Sequence, residues 1–300
     1  MNTNIDPDTP ENYSQQPHNG TPQPQTHNGT AQTKKKILST KTCDAWIDEA
    51  ETQPPITPLF DAFWQRGELA FLFSKTGIGK TILAVQIADA ISKGAKIQGF
   101  DGPQKPMKVG LFDFEMSDTQ HLRRYIDESG NVYQFSDNFW RFAPRAPIPK
   151  DMKSEDLLLE EIEKKIIKHQ LEAVVIDSLT YMPIFTGTRN ELNLLMRLRL
   201  IKLRQNISML VVGHSLRQDS SLPITEDDMP DSIYLLSLCD SAFAIGESAK
   251  EKNVRYLKQI KTSSDDFKYD DENVAVFRLV KRNRFIGFEH IGFDCEYEHL

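Results

Sequence analysis

One short segment constrains the fold of this chain more than any other. The run Ser74-Lys-Thr-Gly-Ile-Gly-Lys-Thr81 follows the apolar stretch 69–73 and precedes a segment in which apolar residues recur at helical spacing. A strand that turns through glycines into a helix points several backbone amides at one spot, with the positive end of the helix dipole behind them. Such a strand, loop and helix is typical of a site that binds the phosphates of a nucleotide.

The side chains of this loop suit a triphosphate with a bound cation. We expect the ammonium of Lys80 to pair with the β- and γ-phosphates and the hydroxyl of Thr81 to occupy one position on Mg²⁺. A serine stands at position 74, where the pattern usually has glycine, and serine can hold the same turn. The chain has no Asn-Lys-x-Asp motif for guanine, so we predict ATP and Mg²⁺ as ligands. The predicted phosphate-binding residues are Ser74, Lys75, Thr76, Gly77, Ile78, Gly79, Lys80 and Thr81.

Strand-like and helical segments alternate through most of the remaining chain. The apolar runs 68–73, 108–114, 139–142, 173–177 and 208–213 predict strands, and the stretches 81–92, 118–126, 155–169 and 191–205 predict helices. Near-continuous apolar strands that alternate with helices favour an α/β fold with a mostly parallel sheet, sandwiched by helices. Three successive runs after Gly246 (254–260, 274–280 and 285–293) predict antiparallel C-terminal strands at one edge of that sheet.

Acidic and polar residues follow several of these strands. Ligands bind at the carboxyl ends of strands in such sheets, so Asp113, Glu115 and Asp177 could converge on the nucleotide. We interpret Asp177 as the residue that holds Mg²⁺ through water, and Glu115 as the residue that orients or deprotonates the attacking water. The alternative is that some of these acids only cap the following helices, and it is strongest for Asp113. His214 ends a further strand and is expected beside the γ-phosphate.

Composition limits the partners and the compartment. The formal charge of −7 is mildly acidic, so any contact with nucleic acid must come from local patches. Three widely spaced cysteines suggest neither a zinc site nor a disulfide framework, and no stretch approaches the roughly 20 apolar residues of a membrane span. We therefore expect a cytoplasmic protein. Residues 1–38 are rich in Asn, Gln, Thr and Pro and predict a disordered tail before a single domain at 39–300.

The order of these motifs resembles a known group. The chain is similar to RecA-like P-loop ATPases of the kind grouped with hexameric RepA-type helicases and AAA-named domains, through residues 74–81, 112–117, 174–178, 212–214 and 240–246. The resemblance implies a ring, such as a hexamer, or a filament that binds nucleotide between subunits, with a basic finger supplied by the neighbour. Lys258 and Lys261 lie in the region where such fingers occur, although no arginine follows Lys261. Alternatively, both lysines are solvated strand residues.

The resemblance also implies a DNA-facing loop, here residues 215–231. That stretch contains Arg217 as its only basic residue, set against Glu226, Asp227, Asp228 and Asp231, a composition that repels phosphates. Basic residues that could compensate lie on the helix 191–205 and in the turn 281–284. We expect a nucleic-acid motor, helicase or loader that acts on single-stranded DNA during replication of DNA or a mobile element. A nucleotide switch of the ParA/MinD type, suggested by Lys75, and a regulatory ATPase without a DNA partner remain alternatives.

Overall fold

A computed structural model describes residues 39–52, 56–149, 151–182, 189–215, 219–229, 232–263 and 266–300. The chain divides into two units, residues 1–54 and 55–300. The described part of the first unit forms one helix, α1 (Cys43–Glu51), which begins where the hydroxyl of Thr42 accepts a hydrogen bond from the amide of Ala45. None of the α1 side chains is buried. The tail predicted over 1–38 lies outside the described residues.

The second unit contains the remaining regular elements. Its strands are β1 (Pro58–Phe60), β2 (Trp64–Gln65), β3 (Leu69–Ser74), β4 (Val109–Asp113), β5 (Phe139–Phe142), β6 (Ala173–Asp177), β7 (Ser208–His214), β8 (Ser241–Glu247), β9 (Val254–Lys261), β10 (Val274–Arg282) and β11 (Phe285–Asp294). Its helices are α2 (Lys80–Lys93), α3 (Asp118–Arg124), α4 (Met152–His169), α5 (Arg189–Gln205) and α6 (Ser232–Leu238). Short 3-10 helices at Leu179–Tyr181, Glu226–Asp228 and Glu296–His299 follow β6, β7 and β11, respectively.

Nine of the strands form one sheet in the order β11-β10-β9-β8-β3-β7-β6-β4-β5. The strands from β8 to β5 pair in parallel, whereas β8–β9, β9–β10 and β10–β11 pair antiparallel. The predicted α/β fold with an antiparallel C-terminal extension is therefore confirmed. The sequence did not predict β8 as a separate strand. Its Ser-Ala-Phe-Ala-Ile-Gly run has low strand propensity, and pairing with β3 and β9 on both sides provides its backbone hydrogen bonds.

The sheet separates two apolar clusters because successive side chains of a strand point to opposite faces. In β3, Ala70 and Leu72 pack with α2 on one face, while Leu69, Phe71 and Phe73 pack with α4 and α5 on the other. All five side chains are almost completely buried. Continuous apolar strands of this kind are needed where helices cover both faces of a sheet. The polar residues at the strand ends are consequently placed along a single rim.

Candidate functional site

The phosphate loop leaves β3 and enters α2 through two glycines with left-handed backbone conformations. Gly77 has φ +83° and Gly79 has φ +118°, values that side-chain-bearing residues rarely adopt. A Cβ atom on Gly79 would also approach Cζ of Phe288, on β11, to 2.9 Å. Position 79 therefore requires glycine both for its backbone angle and for its contact with β11.

Lys80 lies inside this loop. It is buried, and its Nζ donates hydrogen bonds to the carbonyls of Ser74 at 2.9 Å and Lys75 at 3.0 Å. Burial lowers the pKa of Lys80 to about 8, against the opposing effect of the carboxylates of Glu115 and Asp177. The ammonium can exchange its two carbonyl partners for phosphate oxygens with little movement.

Asp177 ends β6 with its carboxylate fully buried. Among the described residues, neither of its oxygens has a hydrogen-bond partner. Burial raises the pKa of Asp177 to about 7, with a further contribution from Glu115 and Asp113. The hydroxyl of Thr81 and the ammonium of Lys80 counter this rise without giving either oxygen a full hydrogen bond. A buried carboxylate beside a hydroxyl fits a hydrated Mg²⁺, so the donor set suits the predicted metal residues Thr81 and Asp177.

Asp113 has a different environment although it ends the neighbouring strand. Its Oδ1 accepts hydrogen bonds from the amides of Glu115 at 3.2 Å and Met116 at 2.9 Å, and its Oδ2 accepts one from Nε of Arg141 at 2.8 Å. Asp113 therefore holds the turn after β4 and does not cap the following helix, because the N-cap of α3 is Ser117. The side chain of Glu115 is exposed, and its charge raises the pKa of both Lys80 and Asp177. Glu115 thus lies within electrostatic range of the two buried groups of the site.

His214 ends β7, the strand that lies between β3 and β6 in the sheet. Its parallel pairing with β3 places His214 opposite Ser74. The Nδ1 atom of His214 lies 3.1 Å from the hydroxyl of Thr76 and 3.3 Å from Nζ of Lys80. Burial lowers the pKa of His214, with a smaller effect from the charge of Lys80, and both effects favour the neutral ring. These contacts place His214 next to the phosphate loop, and its position beside the γ-phosphate stays a prediction.

The side chain of Lys75 contacts a neighbouring loop. Its Nζ donates a hydrogen bond to the hydroxyl of Ser220 at 2.8 Å. Ser220 belongs to the stretch 219–229, which follows β7. Arg217, the single basic residue predicted for that region, lies outside the described residues. The contact links the phosphate loop to the stretch 215–231, which the resemblance predicted to face DNA.

A buried arginine that sequence reasoning missed also holds the phosphate loop. Nε of Arg255, on β9, donates to the carbonyl of Ile78 at 3.1 Å, and the guanidinium forms an ion pair with Glu247 at 3.0 Å. The same side chain donates to the carbonyls of Lys252 and Val254. Arg255 is only 7% exposed. An arginine within the apolar run 254–260 was the available signal, but it did not identify a partner 177 positions earlier in the chain.

Lys258 and Lys261 make contacts within their own chain. Nζ of Lys258 lies 2.6 Å from a carboxylate oxygen of the buried Glu296 and also donates to the carbonyl of Ile224. Nζ of Lys261 donates to the carbonyls of Leu236 and Cys239 at 2.6 and 2.7 Å. Both ammonium groups therefore have partners within the chain, whereas one interpretation treated them as solvated strand residues. Their role as fingers for a neighbouring subunit stays a prediction, which these contacts do not support.

The basic residues of α5 are similarly compensated. Arg197 pairs with Glu155 and Asp156, Arg204 pairs with Glu163, and Lys202 pairs with Asp240. Pairing of this kind removes most of the positive field that a phosphate backbone would require.

Among the described residues, no helix combines the length and apolarity needed to cross a membrane.

Comparisons with known proteins agree with this geometry. The AAA_25 family model, described as an AAA domain, matches residues 35–220. A KaiC-like protein from the hyperthermophilic archaeon Pyrococcus horikoshii superposes with a TM-score of 0.51 at 12% identity, over 77% of this chain and 95% of that protein. A DnaB-like replicative helicase, whose structure was described with its interactions with primase, gives a TM-score of 0.58 at 13% identity, over 84% of this chain and 68% of that one. Curated proteins gave no significant match.

Proposed function

Since this chain belongs to the AAA domain family and has a RecA-like fold, we propose that it binds and hydrolyses ATP with Mg²⁺. One observation carries the proposal. The ammonium of Lys80, the ring of His214 and the carboxylate of Asp177, which has no hydrogen-bond partner in the described part of the chain, converge at the carboxyl-terminal rim of three neighbouring strands. This rim is where open α/β sheets bind their ligands.

Each residue of the site has a distinct task in this proposal. Amides of residues 74–81 and the ammonium of Lys80 bind the phosphates, while Thr81 and Asp177 hold the hydrated metal. Bound Mg²⁺ neutralises charge that develops on the phosphoryl oxygens. Glu115 accepts a proton from the attacking water, which its exposed position and its proximity to Lys80 and Asp177 allow. His214 contacts the phosphate loop and responds to the phosphate that Lys80 binds.

We further propose that the protein assembles into a ring or filament and acts as a nucleic-acid motor, helicase or loader in the cytoplasm. Fold likeness to a DnaB-like replicative helicase supports this proposal. A cation that acts across a subunit boundary must be exposed. The side chains of Arg282 and Arg284, in the β10–β11 turn, are 76% and 45% exposed, against 12% for Lys258. The β10–β11 turn therefore suits a finger, or a contact with DNA phosphates, better than β9 does.

One alternative retains a specific supporting observation, and the other does not. The acidic turn Glu226–Asp228 and the paired cations of α5 favour a regulatory ATPase without a DNA partner. Lys75 suggested a switch in which a lysine reaches across a dimer, but its Nζ contacts Ser220 of the same chain. The RecA-like fold favours the motor over that switch.

The test is the rate of ATP hydrolysis with and without single-stranded DNA, together with the mass of the protein in solution. Lys80→Ala should abolish nucleotide binding, and Glu115→Gln should retain binding but slow hydrolysis by about 100-fold or more. Lys164→Ala, which removes an exposed lysine of α4, serves as the matched control. Unaltered turnover in Lys80→Ala would refute the proposed site.

The other measurements separate the three functions. A ring with DNA-stimulated turnover supports the motor, and a nucleotide-dependent dimer supports the switch. Turnover that DNA does not change, in a protein that binds no DNA, supports the regulatory ATPase.

A further inference from the structure

The turn that carries Glu115 is held by a single arginine from the adjacent strand. Arg141 belongs to β5 and lies opposite Leu111 of β4 in the parallel register. Its guanidinium contacts the end of β4, the turn and the first residue of α3: Nε donates to Asp113 at 2.8 Å, one Nη donates to the carbonyl of Met116 at 2.8 Å, and the other donates to Asp118 at 2.6 Å. Arg141 therefore contacts residues that precede and residues that follow Glu115 in the chain.

Asp113 completes this arrangement from the inside of the turn. Its Oδ1 accepts the amides of Glu115 and Met116, and its Oδ2 accepts the guanidinium of Arg141. The carboxylate of Asp113 is fully buried and forms an ion pair with the guanidinium of Arg141. Arg141 therefore fixes the backbone of residues 113–118 both directly and through Asp113.

The carboxylate of Glu115 has no comparable support of its own. Among the described residues it accepts no hydrogen bond, and the side chain is exposed. The backbone of the turn therefore fixes the position from which this side chain extends into the site. A displacement of about 1 Å in a catalytic group can reduce a rate by about 100-fold, so the rigidity of this turn matters for the proposed reaction.

We propose that Arg141 is the positioning residue for Glu115, through the carboxylate of Asp113 and the carbonyl of Met116. This inference rests on the proposed ATP hydrolysis and adds a residue that does not touch the nucleotide. A planar guanidinium reaches three acceptors in fixed directions, whereas the single ammonium of a lysine cannot. Arg141→Lys preserves the charge next to Asp113 and loses the geometry.

The effect should appear in turnover and not in nucleotide affinity. In Arg141→Lys and Arg141→Met we expect kcat to fall by about 10- to 100-fold. The Kd of a fluorescent ATP analogue, which depends on the phosphate loop, should change less than about twofold. In a Glu115→Gln background, the same substitutions should cause no further loss, because the group they position is already disabled.

Two controls separate positioning from general stability. Asp118→Asn alters the outer partner of Arg141, an aspartate whose own side chain is 87% exposed. The pair between Arg141 and Asp113 stays intact, so kcat should fall less than about threefold. Arg204→Met removes an equally charged arginine from α5, away from the turn, and should leave kcat unchanged. If Arg141→Met does not fold, the Arg141→Lys cycle with Glu115→Gln gives the same test.

The outcomes distinguish this inference from the proposed function. Equal losses in the native and Glu115→Gln backgrounds, a Kd that rises as much as kcat falls, or full activity in Arg141→Lys would overturn the positioning role and leave the ATPase assignment standing. No turnover in the unmodified protein, with or without DNA, would overturn both.

Discussion

Asp113 and Asp177 lie directly opposite each other at the ends of the neighbouring strands β4 and β6, and both are fully buried. Asp113 accepts hydrogen bonds from two amides and one guanidinium. Asp177, among the described residues, accepts none that satisfies normal geometry. A buried carboxylate without partners is unfavourable unless a cation or a proton neutralises it. The two aspartates thus serve different purposes, since one holds a turn and the other is available to a metal.

Asp177→Asn should stabilise the nucleotide-free protein at alkaline pH. The pKa of Asp177 is raised from 3.8 to about 7, so the unfolded state loses this proton first and the free energy of unfolding falls as pH rises from about 4 to 7. The substitution removes this dependence of the free energy of unfolding on pH. Urea unfolding at pH 5 and pH 8, without Mg²⁺, should show a gain that is larger at pH 8 by about 1 to 3 kcal/mol. Asp113→Asn, the control, should destabilise the protein at both pH values, and an identical response of the two variants would contradict the assignment.

Gly79→Ala should impair nucleotide binding more than Gly77→Ala. Both positions have positive φ, so alanine at either costs about 1 to 3 kcal/mol of backbone strain. Only at position 79 would the added Cβ also meet the ring of Phe288, whereas nothing lies within 4 Å at position 77. Titration with a fluorescent ATP analogue measures the difference. Phe288→Ala should partly restore binding to Gly79→Ala, and failure to do so would show that the backbone angle alone matters.

Arg255→Met should weaken nucleotide binding by about tenfold or more. The substitution removes the charge-assisted hydrogen bond that Nε of Arg255 donates to the carbonyl of Ile78, in the centre of the phosphate loop. Arg255→Lys should restore little, because the single nitrogen of lysine cannot occupy the two separate positions, Nε and Nη, from which the arginine reaches Ile78 and Glu247. The matched control is Arg278→Met on β10, where the arginine forms an exposed pair with Glu251. Equal Kd values for Arg255→Met and Arg278→Met would argue against this role for β9.

Lys258→Met should lower stability and leave no defect that a second subunit can repair. The change leaves the fully buried carboxylate of Glu296 without its ammonium partner, which costs about 3 to 5 kcal/mol. Chemical denaturation measures the loss, and a second substitution, Glu296→Gln, should recover part of it. As a test of the finger hypothesis, Lys258→Met subunits are mixed with Lys80→Ala subunits. Restored turnover in the mixture, without a stability change in Lys258→Met alone, would favour a finger.

Several elements could be predicted because their signals are local. The strands at Phe139–Phe142 and Ala173–Asp177 agree with the prediction at both ends, and the ends of β3, α2 and β7 differ by one residue. Each follows from apolar periodicity within a short window. The helix α6 and the strand β8 were not predicted. The helix spans only seven residues, too few for a clear helical period, and the Ser, Ala and Gly residues of β8 have weak strand propensity.

The amino-acid sequence by itself determined the phosphate loop, the α/β alternation and the set of polar residues at the strand ends. These features depend on neighbours within about ten positions, and backbone sterics and side-chain periodicity act over that range. Only the tertiary structure decided which acid is paired and which is available, because Asp113 and Asp177 follow similar apolar strands and differ in the approach of Arg141. It also placed Arg255 against Ile78 and Lys258 against Glu296. Contacts between residues far apart in the chain form only when the sheet brings their strands together.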